Sequence, residues 1–128
     1  MKVAVPVLCA VLAAGCNDMT SPDDPGVVCT AIAVSSLNVL VHDAETARLV
    51  CDASVVAIHQ GGEVFQLERT LHGDALACGY MGPWERAGVF EVRATRDGYA
   101  PAAVSGVRVT ADQCHVTPVS VSLDLRRD

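Results

Sequence analysis

From Val27 onward, apolar and polar positions alternate with a period of two, and no stretch sustains a helical repeat. The last run is the most regular: Val119, Val121, Leu123 and Leu125 fall on one face, and Ser120, Ser122 and Asp124 on the other. Phe90, Val92 and Ala94 alternate with Glu91, Arg93 and Thr95 in the same way. Ile32 and Val34 share a face, but after Ser35-Ser36 the parity changes, and Leu37, Val39 and Val41 share one. That change predicts a bulge, or a strand that crosses between two sheets. Ala53, Val55 and Ala57 open a further strand, Gly61-Gly62 predicts a hairpin, and Phe65 and Leu67 lie on the returning strand. Leu76, Cys78 and Tyr80 alternate with smaller residues, so Cys78 is expected to point inward, and Val107 and Val109 belong to another strand. Residues 43–46, 72–74 and 96–98 read as turns, and 82–88 as the longest polar connection. About seven strands at this spacing predict an all-β domain, a β-sandwich with Greek-key connections.

The first residues follow another pattern. After Lys2, the run from Val3 to Ala14 is apolar, interrupted only by Pro6. Its length fits the core of a secretory signal and falls short of the roughly 20 residues that a membrane-spanning helix needs. It closes on Leu12-Ala13-Ala14-Gly15-Cys16, followed at once by Asn17 and Asp18. This resembles the lipobox of bacterial lipoprotein signal peptides, in which small residues precede a cysteine that is lipidated and becomes the new N-terminus. That family prefers a large aliphatic residue three positions before the cysteine; here the position is Ala13, with Leu12 one step earlier. The resemblance implies a signal peptide over 1–15, lipid (palmitate included) on Cys16, a tether over 16–26 and a folded domain over 27–128. Membrane lipid is then a partner through the anchor, and the location is the exported side of a bacterial cell envelope, periplasmic or at the cell surface. The alternative is an ordinary signal peptide cleaved after Ala14, which leaves the role of Cys16 unexplained.

Charge and cysteine content narrow the classes further. Lys2 is the only lysine, and downstream of Cys16 eight arginines stand against fifteen acidic residues. Such an acidic balance argues against nucleic acid as a partner and against electrostatic docking on anionic lipid. Cys9 lies in the signal and Cys16 in the lipobox, which leaves Cys29, Cys51, Cys78 and Cys114. An even number in an exported domain reads as two disulfides, and the lack of any C-x-x-C spacing weakens zinc and redox readings. Four cysteines allow three connectivities.

Two stretches carry a second resemblance. Val41-His42-Asp43-Ala44-Glu45-Thr46-Ala47, followed by Ala53-Ser54-Val55, resembles the opening of carboxypeptidase regulatory-like domains. Gly88-Val89-Phe90-Glu91-Val92-Arg93-Ala94 with Gly98-Tyr99 resembles the same family's second signature. Together with the closing strands it covers roughly residues 30–125. The resemblance implies a seven-stranded, transthyretin-like and immunoglobulin-like sandwich. The chain departs from it at Ala47, where the family has Gly, and at Leu49, where Pro is common. In such sandwiches the first and last strands commonly run parallel, which favours Cys29–Cys114 with Cys51–Cys78 as the remainder. Tyr99 is expected to bury its ring and tie down a neighbouring loop through its hydroxyl. Family members differ widely in role, so the motifs speak to fold and not to function.

No H-E-x-x-H, G-x-S-x-G or phosphate-cradling loop is present. His42, His59, His72 and His115 show no i, i+4 pair; His72 with Asp74 is at most half of a metal site, and His115 beside Cys114 acts on a thiol only if that cysteine is reduced. No catalytic residue, metal or cofactor is assigned. Trp84, between Pro83 and Glu85-Arg86, is the candidate ligand contact: an exposed indole on a sandwich loop stacks on a sugar or anchors a partner, while a folded-back one lids the core. The expected function is a non-catalytic cell-envelope lipoprotein whose sandwich is an interaction or structural module. The alternatives are a carbohydrate or small-ligand binding module using Trp84, and a small metal-dependent hydrolase. The expected partners beyond lipid are an envelope protein or a carbohydrate.

Overall fold

The computed structural model describes residues 27–71 and 78–128. Among these described residues nine strands form two sheets: β1 (Ser35–Asp43), β2 (Ser54–His59), β3 (Val64–Gln66), β4 (Glu68–Leu71), β5 (Cys78–Trp84), β6 (Gly88–Thr95), β7 (Tyr99–Ala100), β8 (Ala102–Val109) and β9 (Val119–Arg127). One sheet has the order β4-β5-β1-β9-β7 and the other β3-β2-β6-β8. All neighbouring strands are antiparallel except β1 and β9, which run parallel from Leu37↔Val119 to Asp43↔Leu125.

The core lies between the sheets, as the period-two pattern requires. Leu37, Val39 and Val41 of β1, Tyr80 of β5 and Leu123 and Leu125 of β9 face Val55 and Ala57 of β2, Phe90, Val92 and Ala94 of β6 and Val109 of β8. The inward row of β1 is bounded by a buried polar residue at each end, Ser35 and Asp43. No buried side-chain nitrogen or oxygen among the described residues lacks a hydrogen-bond partner. An unpaired one would cost about 1–3 kcal/mol.

The strand count differs from the expected seven because two continuous stretches change sheets partway. β3 pairs with β2, and after the single buried residue Leu67 the chain continues as β4, which pairs with β5 in the other sheet. β7 pairs with β9, and after Pro101 the chain continues as β8 along β6. Proline has no N–H to give a ladder, so the break falls where pairing is exchanged.

Two expected boundaries are corrected. Ile32 and Val34 belong to no strand, and Ile32 is 68% exposed. The change of parity marks the start of β1, where two buried serines bond backbone groups around them. Ser35 Oγ donates to the Leu37 carbonyl (2.8 Å) and accepts the Gly82 N–H (2.8 Å), and Ser36 Oγ donates to the Arg86 carbonyl (2.7 Å) and accepts the Arg86 N–H (2.8 Å). The connection expected over 82–88 shrinks to three residues, because Gly82, Pro83 and Trp84 complete β5 opposite Leu37 and Ser35 of β1. The turn expected over 72–74, with Leu76, lies outside the described residues.

The cysteines close two links, Cys29–Cys114 and Cys51–Cys78. Cys78 is buried on β5. Disulfides persist in oxidising compartments, so this pair of links fits a domain outside the cytosol.

Candidate functional site

Trp84 ends β5 and is 45% exposed. The indole therefore does not serve as a buried lid. It borders a shallow cavity of about 470 Å³ that also takes in Val64 and Phe65 of the edge strand β3, Pro83, Glu68 and Arg86. Val64 is 63% exposed, so the floor is apolar and accessible. Arg86 stretches its guanidinium over the Phe65 ring, 5.6 Å from the centroid, and pairs with Glu63 at the exposed rim. The result is a strip of apolar surface with charge along its edge, at the seam where β3 and β4 pass from one sheet to the other.

A second cluster adjoins it through the chain. Glu85 follows Trp84 with φ 51°, in the left-handed region that a non-glycine residue rarely occupies. The position is held from several sides. Its N–H donates to the Val34 carbonyl (2.8 Å), its Oε2 accepts the Val34 N–H (3.0 Å) and its Oε1 accepts the Val116 N–H (3.0 Å). Oε2 also lies 2.5 Å from Nδ1 of His115, whose Nε2 lies 2.9 Å from Thr30 Oγ1. The N–H of Val116 and the contact with His115, with a smaller part from Val34, hold the Glu85 carboxyl below its ordinary range despite its partial burial. Asp112 Oδ1 accepts the N–H groups of Cys114 (2.8 Å) and His115 (2.9 Å), which sets the loop that carries the imidazole. Sequence spacing singled out neither Thr30 nor Glu85. The available signal was the adjacency of Thr30 to Cys29 and of His115 to Cys114, which becomes spatial once those cysteines are joined.

At the opposite end of the sandwich, Asp43 anchors a polar node. Its Oδ2 accepts the Tyr99 hydroxyl (2.6 Å) and Arg127 Nε (3.2 Å), and its Oδ1 accepts the N–H groups of Glu45 (2.8 Å) and Thr46 (3.0 Å). The Tyr99 bond is the largest of the influences that hold its carboxyl well below the usual carboxylate range, ahead of the Thr46 N–H; burial opposes them. Arg96 and Arg127 each stack on the Tyr99 ring, at 5.4 and 5.7 Å from its centroid. Tyr99 is thus half-buried under two guanidinium groups, and its hydroxyl ties the turn after β1, a structural assignment.

The other histidines are spread apart. His59 packs edge-on against Phe90 (5.1 Å between centroids), with Nε2 3.2 Å from the Ala87 carbonyl and Nδ1 accepting the Gly61 N–H at 3.2 Å. His42 bridges Leu49 through the backbone. His72 and Asp74 lie outside the described residues, as does Cys16. Among the described residues, no group of three or more His, Cys, Asp or Glu side chains converges as a metal site would require. No protein-family model matches the chain, and no curated protein matches it either.

Proposed function

We propose that this chain is a bacterial cell-envelope lipoprotein, moored through lipid on Cys16, whose transthyretin-like Greek-key sandwich is an interaction module with Trp84 as its anchor. The observation that carries the binding part is the exposed indole on the apolar strip of Val64, Phe65 and Pro83. A large, rigid aromatic with two rotatable bonds gives contact area at small entropic cost, and a charged rim beside it supplies orientation. The lipobox residues support the mooring, and the two disulfides agree with export. The acidic balance argues against nucleic acid as the partner.

A carbohydrate ligand is the second reading. It is favoured by Gln66, Glu68 and Arg86 around the indole, which provide the planar hydrogen-bonding groups that sugar hydroxyls use.

Trp84 is the only tryptophan, so its fluorescence reports on the site directly. Titrating the purified protein with solubilised envelope glycans, and separately cross-linking it in whole cells, gives the test. The expected result is a shifted or quenched emission, or a discrete cross-linked partner, lost in a folded Trp84→Ala variant. Unchanged emission together with identical cross-linking of the variant would sink the reading. Intact-mass measurement of membrane-extracted protein tests the mooring: a chain beginning at Cys16 with acyl chains is expected, and a free thiol there would overturn it.

A further inference from the structure

We propose that Thr30, His115 and Glu85 form a nucleophilic relay that accepts an acyl group from a small carboxylic ester onto Thr30 Oγ1. This site is separate from the Trp84 strip and does not depend on the binding proposed there.

The three side chains stand in the order hydroxyl, imidazole, carboxylate, joined at 2.9 and 2.5 Å. A carboxylate only accepts, so Nδ1 carries the proton in its bond to Glu85. In the neutral ring, Nε2 is then an acceptor, and Thr30 Oγ1 donates to it. This is the arrangement in which a weak hydroxyl nucleophile is activated by a base that a third group orients. Glu85 is the positioning residue, and its two backbone donors keep it ionised and fixed.

The pairing also has a covalent brace. Cys29 directly precedes Thr30 and Cys114 directly precedes His115, and the two cysteines are bonded. The hydroxyl and the ring are therefore held together across 85 residues of chain. The cluster opens to a cavity of about 420 Å³ whose walls include Ala31, Ile32, Ala87 and Ala111, with Ile32 exposed. Small apolar side chains leave room for a short acyl group.

In the proposed step, Oγ1 attacks the ester carbonyl carbon and its proton passes to Nε2. The tetrahedral intermediate then expels the alkoxide, which takes that proton from Nε2, and an ester forms on Thr30. Water attacks the new ester, with Nε2 again receiving and returning one proton, and releases the carboxylic acid and Thr30.

The test uses the oxidised, full-length mature protein and p-nitrophenyl acetate. Expected are release of nitrophenolate and, after acid quench, acetyl mapped to Thr30 by peptide mass spectrometry. Thr30→Ala and His115→Ala should each lower the rate about 100-fold, while Thr30→Ser retains it. Glu85→Gln should lower kcat for acylation with KM little changed, since it removes the carboxylate that orients the ring while leaving the cavity walls in place. Circular dichroism and disulfide mapping verify the fold of each variant. Equal rates in wild type and Thr30→Ala, or acetyl found only elsewhere, would overturn the proposal, as would the absence of any turnover by the folded, oxidised protein.

Discussion

At the scale of single residues, Tyr80 ties an irregular segment to the core. It is almost wholly buried, yet its hydroxyl donates to the Val50 carbonyl at 2.8 Å and accepts the Ala53 N–H at 3.0 Å. Both groups belong to the irregular segment between β1 and β2, which has no ladder of its own there. Burial is the foremost cause that raises the phenol above its ordinary pKa, so it remains a donor throughout the physiological range. Tyr80→Phe keeps the ring but leaves a carbonyl and an N–H unpaired. The expected loss is about 1–3 kcal/mol, measurable by urea denaturation. The alternation around Cys78 already points Tyr80 inward. Its partners, 27 and 30 residues away, depend on how the chain returns, which no local pattern encodes. Sequence reasoning gave the loop-tying role to Tyr99, and the fold gives such a role to both tyrosines, at different loops.

At the scale of elements, the turn after β1 shows where local chemistry and backbone geometry disagree. Asp43 accepts two N–H groups of its own turn, a pattern short polar side chains favour, and the Ala47 N–H closes on the Asp43 carbonyl at 2.8 Å. Ala47 then adopts φ 63°, where its Cβ is unfavourable. Glycine, the residue implied at this position by the family resemblance, removes that cost of about 1–2 kcal/mol and gives back roughly 0.5–1 through a looser unfolded chain. Ala47→Gly should therefore stabilise by about 0.5–1 kcal/mol, a rise in Tm of about 2–8 °C by calorimetry. The half-buried strands β6 and β9 are legible because each keeps one face inward over its whole length. The sheet exchanges at Leu67 and Pro101 are not, because a change of partner leaves the alternation of a strand intact. The same holds for β8, where Phe90↔Val107 is followed by Val92↔Val104, and Gly106 at φ 73° takes up the extra residue.

At the scale of the molecule, the two disulfides do different work. Loop closure alone assigns about 3.5 kcal/mol to Cys51–Cys78 and about 4.5 to Cys29–Cys114. The first joins a core position on β5 to the segment that packs beside Tyr80; the second holds residues outside any sheet. Freed from Cys114, the segment around Cys29 gains freedom in the folded state too, which offsets part of the gain in the unfolded one. Replacing Cys51 and Cys78 by serine should lower stability by about 3.5 kcal/mol, and replacing Cys29 and Cys114 by clearly less than about 4.5, both read from urea midpoints under non-reducing conditions. The candidate sites are legible in unequal measure. Trp84 stands out as a lone large aromatic beside proline and charge, whereas Thr30 and Glu85 acquire meaning only when the chain brings three distant loops together.

Because β1 and β9 travel in the same direction, the polypeptide enters the sandwich at one pole and leaves it at the other, about 30 Å away for strands of nine residues. Ser35 sits opposite Trp84, so the indole and the Thr30 cluster share the entry pole, and Asp128 marks the far one. Both surfaces therefore crowd the pole where the chain arrives, and the departing end is kept clear of them. A reporter fused behind Asp128 would sit at the far pole and leave both surfaces unobstructed.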